Sequence, residues 1–217
     1  MIFVLKSKRS IQELPHYQKI KMKKLLVVFF VLASVNSYSQ GFIGGIMQKV
    51  HFGLKAGANY SDFNNANFNT QGLYGFHAGM MIEYRFNDHF SIHEDILFST
   101  QGARLRDQST FGQDQIKLSY VSLPILFKYT TNVGLYFEAG PQVNTNVGNN
   151  FQDPALKNYA RRLDAGVAGG LGYQTAMGLG IGLRYFAGLT QVPDFQYGGI
   201  NTKFTNNVAQ VSLFYTF

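Results

Sequence analysis

Residues 72–86 read G-L-Y-G-F-H-A-G-M-M-I-E-Y-R-F, and their alternation limits the possible folds more than anything else in the chain. The even positions Tyr74, Phe76, Ala78, Met80, Ile82, Tyr84 and Phe86 are apolar, with aromatics near both ends. The odd positions Leu73, Gly75, His77, Gly79, Met81, Glu83 and Arg85 are mostly small, polar or charged. Period-two alternation sustained this long means a strand with different surroundings on its two faces. Strands of soluble proteins average about 5–6 residues, whereas a strand of about 9–11 residues tilted near 45° crosses a bilayer. Apolar-out, polar-in strands with interfacial aromatics are the signature of a transmembrane β-barrel.

The pattern recurs along the chain. It predicts further strands over Val50–Tyr60, Phe90 to about Gly102, Lys117–Tyr129, Gly134–Val147, Asp164–Tyr173, Gly178–Leu189 and Asn207–Phe217. With Gly72–Phe86 that makes eight. In the third, strict alternation turns Glu94 towards lipid, an unfavourable place for a carboxylate. A β-bulge near Glu94 or a position close to the interface would each resolve this. Pro124 in the fourth cannot donate to a ladder, so a bulge or a missing hydrogen bond is expected there. Between the strands the connections run long, short, long, short, long, short, long, at about 11, 3, 14, 4, 16, 4 and 17 residues. An even strand count with short periplasmic turns and longer external loops is the layout of a bacterial outer-membrane barrel. The predicted fold class is all-β: an eight-stranded antiparallel up-and-down transmembrane β-barrel over residues 50–217.

The formal charge of +7 is concentrated at one end. Seven of the 19 basic residues precede position 25, opposed there only by Glu13, and the remainder of the chain is nearly neutral. The basic balance therefore argues for no nucleic-acid partner and belongs to a targeting segment. Lys23-Lys24, an apolar run from Leu25 to Val35, and Ser37 and Ser39 at −3 and −1 of a cut before Gln40 have the layout of a secretory signal peptide. The expected organisation is an upstream extension over 1–21 ahead of a start at Met22, a signal peptide over 22–39, a lead-in over 40–49, and the barrel. There is no Cys, which excludes a disulfide framework and thiolate metal sites.

An eight-stranded barrel has an interior just wide enough for side chains to fill. The positions predicted to point inward supply Lys55, His77, Glu83, Arg85, Asp95, Lys128, Glu138, Asp164 and Arg184. Both signs are present, so Arg85, Lys128 and Arg184 are expected to pair with some of Glu83, Asp95, Glu138 and Asp164, giving a polar plug instead of an open pore. His77, His93 and Asp95 are the one combination suited to metal binding or acid–base work. Hydrogen-bonded plug residues are the simpler reading. No G-x-S-x-G, H-E-x-x-H or phosphate-loop motif is present, and no cofactor is implied. Lys157, Arg161 and Arg162 in the third long loop suit lipopolysaccharide phosphates or plain solvation. Phe63, Phe68, Phe111, Phe151, Tyr159, Phe195 and Tyr197, read as loop aromatics, suit an unknown ligand at the loops and equally suit packing on each other or at the membrane interface.

The chain ends with apolar or aromatic residues at every second position, Val211, Leu213, Tyr215 and Phe217. The last strand has to pair with the first, since an open edge in lipid leaves backbone groups unsatisfied. It also resembles the C-terminal signal read by the barrel-assembly machinery, a second expected partner besides outer-membrane lipid and lipopolysaccharide.

Tyr120-Val121-Ser122-Leu123-Pro124-Ile125-Leu126-Phe127-Lys128-Tyr129 resembles the Y-x-x-x-P-x-x-x-K-Y stretch of Bacteroidetes-type outer-membrane β-barrel proteins, the porin-family or PorT-like group. Phe137-Glu138-Ala139-Gly140-Pro141 resembles their next strand. Phe98-Ser99-Thr100-Gln101-Gly102, Gly170-Leu171-Gly172-Tyr173 and Phe214-Tyr215-Thr216-Phe217 are similar too. The resemblance covers about Val50 to Phe217. It implies a cell outer-membrane barrel of a Gram-negative organism, mostly without assigned activity. The "porin" label does not by itself make a diffusion pore of an eight-stranded lumen.

Overall fold

The computed structural model describes residues 48–64, 70–106, 114–150, 163–191, 196–197, 200–201 and 204–217. The predicted extension, signal peptide and most of the lead-in lie outside these residues, as do Phe68, Phe111, Phe151, Lys157, Tyr159, Arg161, Arg162 and Phe195.

The described residues form ten strands: β1 Val50–Asn64, β2 Thr70–Arg85, β3 Phe90–Leu105, β4 Gln115–Thr130, β5 Leu135–Asn149, β6 Leu163–Gln174, β7 Leu179–Gly188, β8 Gln196–Tyr197, β9 Ile200–Asn201 and β10 Thr205–Thr216. Eight of them close a barrel in the order β1-β10-β7-β6-β5-β4-β3-β2. All neighbours are antiparallel, and β1 meets β10 from Gly53↔Thr216 to Asn64↔Thr205, so no edge remains in the ring. The two-residue strands β8 and β9 pair with each other in the connection before β10.

The strands reach further into the long connections than alternation predicts. Ser61–Asn64, Ala103–Leu105 and Gly148–Asn149 are strand, because their backbones continue the ladders of β1, β3 and β5. The segments at one end shrink to 65–69, 106–114, 150–162 and 189–204, while those at the other end are 86–89, 131–134 and 175–178. Long and short connections still segregate to opposite ends. Two of the short turns share one design. Thr131 N donates to Leu135 O and Gly134 N to Thr131 O, just as Thr175 N donates to Leu179 O and Gly178 N to Thr175 O. Each threonine hydroxyl also donates to its leucine carbonyl. Gly134 and Gly178 both have φ +89°, a region where a Cβ is strained. In the third turn Asn87 Oδ1 accepts from the backbone N–H of His89 and Phe90, each at 2.9 Å.

The outer wall carries Phe52, Leu54, Ile125, Phe137, Ile181 and Leu213, all about half-exposed, and large apolar residues continue around every barrel strand. A water-soluble surface does not tolerate an apolar band of that extent; lipid does.

Glu94 is part of this wall. Its register does not shift, with Ile82 on one side and Ile125 on the other, so there is no bulge at this position. Nor does it sit at a strand end, being four residues from Phe90 and four from Phe98. The ladder shifts elsewhere, between Gly72 and His77 in β2–β3 and between Ser119 and Tyr120 in β4–β5. Pro124 stays in register opposite Gln142 on β5, while on its other side the β3–β4 ladder misses the two pairs between Glu94↔Ile125 and Leu97↔Ser122 without a register shift, in line with the missing hydrogen bond expected there.

Inside, the polar side chains of the expected plug share the lumen with apolar ones. Phe63, Leu118, Tyr120 and Phe204 pack together at the long-loop end. Leu126, Phe186 and Val208 form a second apolar group, and Met81, Tyr136 and Phe214 a third nearer the short turns. Phe63, expected among the loop aromatics, is therefore a core residue, with its ring 4.2 Å from that of Phe204. These side chains alternate with polar ones along the inward face, and a close-packed interior has to be filled whatever the polarity of the fillers.

Candidate functional site

The polar side chains between these apolar groups come from all eight strands of the barrel. Inward alternation puts Lys55 on β1, His93 and Asp95 on β3, Glu138 on β5 and Arg184 on β7 at one level of the barrel. Lys55 Nζ donates to Asp95 Oδ2 at 2.9 Å. Arg184 Nη1 donates to the same oxygen at 2.7 Å, and its Nε donates to Glu138 Oε1 at 2.8 Å. Arg184 Nη2 lies 2.7 Å from that Glu138 oxygen as well. His93 bridges the two acids, Nε2 lying 2.8 Å from Asp95 Oδ1 and Nδ1 2.9 Å from Glu138 Oε2. Two cations thus balance two carboxylates around one imidazole, all of them buried. Unpaired, any one of these charges would be strongly unfavourable in such surroundings.

A smaller cluster lies towards the short turns. Lys128 on β4 donates to Glu83 Oε2 on β2 (3.2 Å) and to Gln174 Oε1 on β6 (2.9 Å). Its ammonium also stands 4.6 Å from the centroid of the Tyr136 ring. Glu83 accepts further from Ser91 (2.9 Å) and from Arg85 (3.3 Å). Arg85 differs from the other predicted lumen residues. Its side chain is 41% exposed at the mouth, because β2 ends there. The mouth is a vestibule of about 590 Å³ between the short turns, with Glu83, Arg85, His51 and His89 among its walls.

His77 stands apart from His93 and Asp95. Its Nδ1 is 2.6 Å from Asn59 Oδ1 and its Nε2 2.8 Å from Ser212 Oγ, in a neutral layer with Ser99 and Gln210. The three residues considered together for metal or acid–base chemistry are therefore not one site. Among the described residues no group of three such side chains is placed to hold a metal ion. Among the described residues Asp164 meets no cation and accepts instead from Asn144 Nδ2 (3.3 Å) and Thr190 Oγ1 (3.0 Å). Sequence reasoning did not single out Asn59, Tyr136, Gln174 or Gln210 as partners. Their inward register is visible in the alternation, but the residues they meet are not.

At the C-terminus Val211, Leu213 and Tyr215 face outward from β10, Tyr215 packing edge-on against Phe217 with centroids 5.4 Å apart. Phe217 N donates to Phe52 O, tying the chain end to the start of β1.

A closed antiparallel barrel with an apolar outer wall and charges buried in its lumen defines a transmembrane β-barrel protein. The chain belongs to the outer membrane protein beta-barrel domain family, whose model matches residues 37–194. No curated protein matches the chain. Among solved structures, Neisserial surface protein A is similar at 15% identity over 76% of this chain and 97% of its own, with a TM-score of 0.49. OprG from Pseudomonas aeruginosa is similar at 12% identity over 77% and 95%, with a TM-score of 0.48. Ail, the attachment invasion locus protein of Yersinia pestis, is similar at 13% identity over 78% and 99%, with a TM-score of 0.44. Family membership rests on the family match, and the fold on the strand pairing.

Proposed function

We propose that this is a non-enzymatic outer-membrane barrel of PorT-like type. In this reading its lumen is closed by side chains and four connections, those following β1, β3, β5 and β7, face the cell exterior in a structural or binding role. The observation that carries the reading is the ion cluster around Asp95, which joins strands on opposite sides of the ring across the lumen. Export by the signal peptide over 22–39 brings the chain to the periplasm. The barrel-assembly machinery then reads the final strand, with Val211, Leu213, Tyr215 and Phe217 as its signal. Lipopolysaccharide and an unidentified ligand are the expected partners of the loops.

The alternative of a small-solute channel is tested by conductance. A barrel enzyme acting on lipid or peptide would show turnover lost on replacing His77 or His93. The reading itself is tested by labelling. The chain has no native cysteine, so Asn150→Cys at the loop end and Asn132→Cys in a short turn each report one side of the membrane. A membrane-impermeant maleimide applied to whole cells is expected to label position 150 and spare position 132. The opposite pattern, or labelling of neither in cells whose outer-membrane fraction holds the protein, overturns the orientation.

A further inference from the structure

The outer wall is not uniformly bulky. Ala209 on β10 stands in register with Tyr60 on β1 and with Tyr185 on β7. Tyrosines therefore flank an alanine, two inter-strand spacings or roughly 10 Å apart at the backbone. Over β10 only a methyl group fills the space between the two rings. Ala58, two residues along β1 from Tyr60, and Gly169, opposite Tyr185 on β6, keep the neighbouring wall low. The result is an apolar groove of about 600 Å³ running down past Val211 into the belt.

A second pocket, of about 310 Å³, adjoins it towards the long loops and shares Tyr60, Tyr185 and Ala209 with it. Its remaining walls are Asp62, Asn64, Asn207 and Phe63, three of the four polar. Asp62 and Asn207 face one another in register, one step loopward of Ala209. Asp62 Oδ1 accepts from the Phe63 backbone N–H at 2.8 Å, which fixes the carboxylate at the rim.

Bulk acyl chains would fill the groove, but nothing about them requires a polar pocket continuous with its upper end. A carboxylate beside an amide selects against phosphate and favours uncharged donors, hydroxyl O–H and amide N–H. Tyrosines at such a boundary suit a ligand that is apolar below and wet above. We propose that the Tyr60–Ala209–Tyr185 slot binds one molecule of an acylated sugar, with the alkyl chain over Ala209 and sugar hydroxyls on Asp62 and Asn207. This site depends on the outer-membrane reading only for the presence of lipid.

The test uses the barrel in phosphatidylcholine nanodiscs with 3-fluorotyrosine in place of tyrosine, titrated with dodecyl maltoside and separately with dodecylphosphocholine. The fluorine signals of Tyr60 and Tyr185 are expected to shift saturably with the maltoside, at least five-fold tighter than with the phosphocholine, while Tyr215 reports bulk lipid. Ala209→Leu, which fills the slot from the lipid side, is expected to abolish the saturable shift. Asp62→Ala is expected to weaken it at least five-fold, and keeps the test decisive should the leucine variant not fold. Equal responses to the two amphiphiles, or a shift surviving both substitutions, overturn the site. Failure of the wild type to enter the discs would count against the membrane reading instead.

Discussion

Arg184 on β7 donates to Asp95 on β3 at 2.7 Å, although the two strands stand four places apart in a closed ring of eight. They are diametrically opposed, so this contact crosses the whole lumen. It holds because Glu138 takes the other side of the guanidinium while Lys55 and His93 occupy the rest of the Asp95 carboxylate. Removing one member of a buried ion cluster typically costs about 3–5 kcal/mol, since its partners are left charged and unpaired. Arg184→Ala is accordingly expected to lower the barrel's stability by about 3–5 kcal/mol, read as the guanidinium unfolding midpoint in lipid vesicles. An unchanged midpoint would mean that water already solvates the cluster.

A second expectation concerns two glycines and one ring. The Tyr136 hydroxyl lies where a Cβ at either Gly172 or Gly182 would be. Gly182→Ala is expected to destabilise the barrel by about 1–3 kcal/mol through overpacking. Tyr136→Phe in the same chain should recover most of that loss, as the nearest remaining ring atom would then be 3.5 Å away. A double mutant no better than the single one would show that the backbone carbonyls, and not the hydroxyl, set the limit.

Glu94 gives a prediction of opposite sign. It is exposed on the outer wall between Ile82 and Ile125, four residues from each aromatic end of its strand's apolar face. Replacing a lipid-facing acid well inside the belt by leucine should stabilise the barrel, by on the order of 1–2 kcal/mol. The measurement is the unfolding midpoint in vesicles, with Ile92→Leu as the neutral control. Destabilisation by Glu94→Leu would mean that the carboxylate has a stabilising partner in the membrane.

The chain end carries a prediction about assembly. Deleting Phe217 is expected to leave unassembled protein in the periplasm, although the same chain refolds into detergent. Normal outer-membrane levels after the deletion would make Phe217 an interfacial aromatic only.

The wall of this barrel is legible in the sequence, and the contents of its lumen are legible only in part. Strict alternation from Gly72 to Arg85 assigns each side chain to a face, and the same reading places Lys55, Asp95, Glu138 and Arg184 inside. Which of them meet is not written there. Asp95 and Arg184 come together only once the ring is closed and its stagger set, and stagger depends on two ladder shifts that no residue type announces. Buried Met81, Leu126, Phe186 and Phe214 stand singly among polar inward neighbours, so each looks like noise until strands from all sides are combined. Phe63 reads as a loop residue because Asp62, Asn64 and Asn65 around it are turn formers. Pairing with Asn206 on β10 keeps its backbone extended instead. The shared turn of Thr131–Gly134 and Thr175–Gly178 had a visible signal, a repeated T-x-x-G-L, that composition and alternation pass over.

The central claim is that side chains close the lumen at the level of Lys55, His93, Asp95, Glu138 and Arg184. Single-channel recording in a planar bilayer, with the full chain inserted and insertion verified by heat-modifiable migration, tests it most directly. The closed lumen predicts no ohmic steps at either polarity for the wild type. Reproducible, stable conductance steps from the wild-type barrel would contradict it.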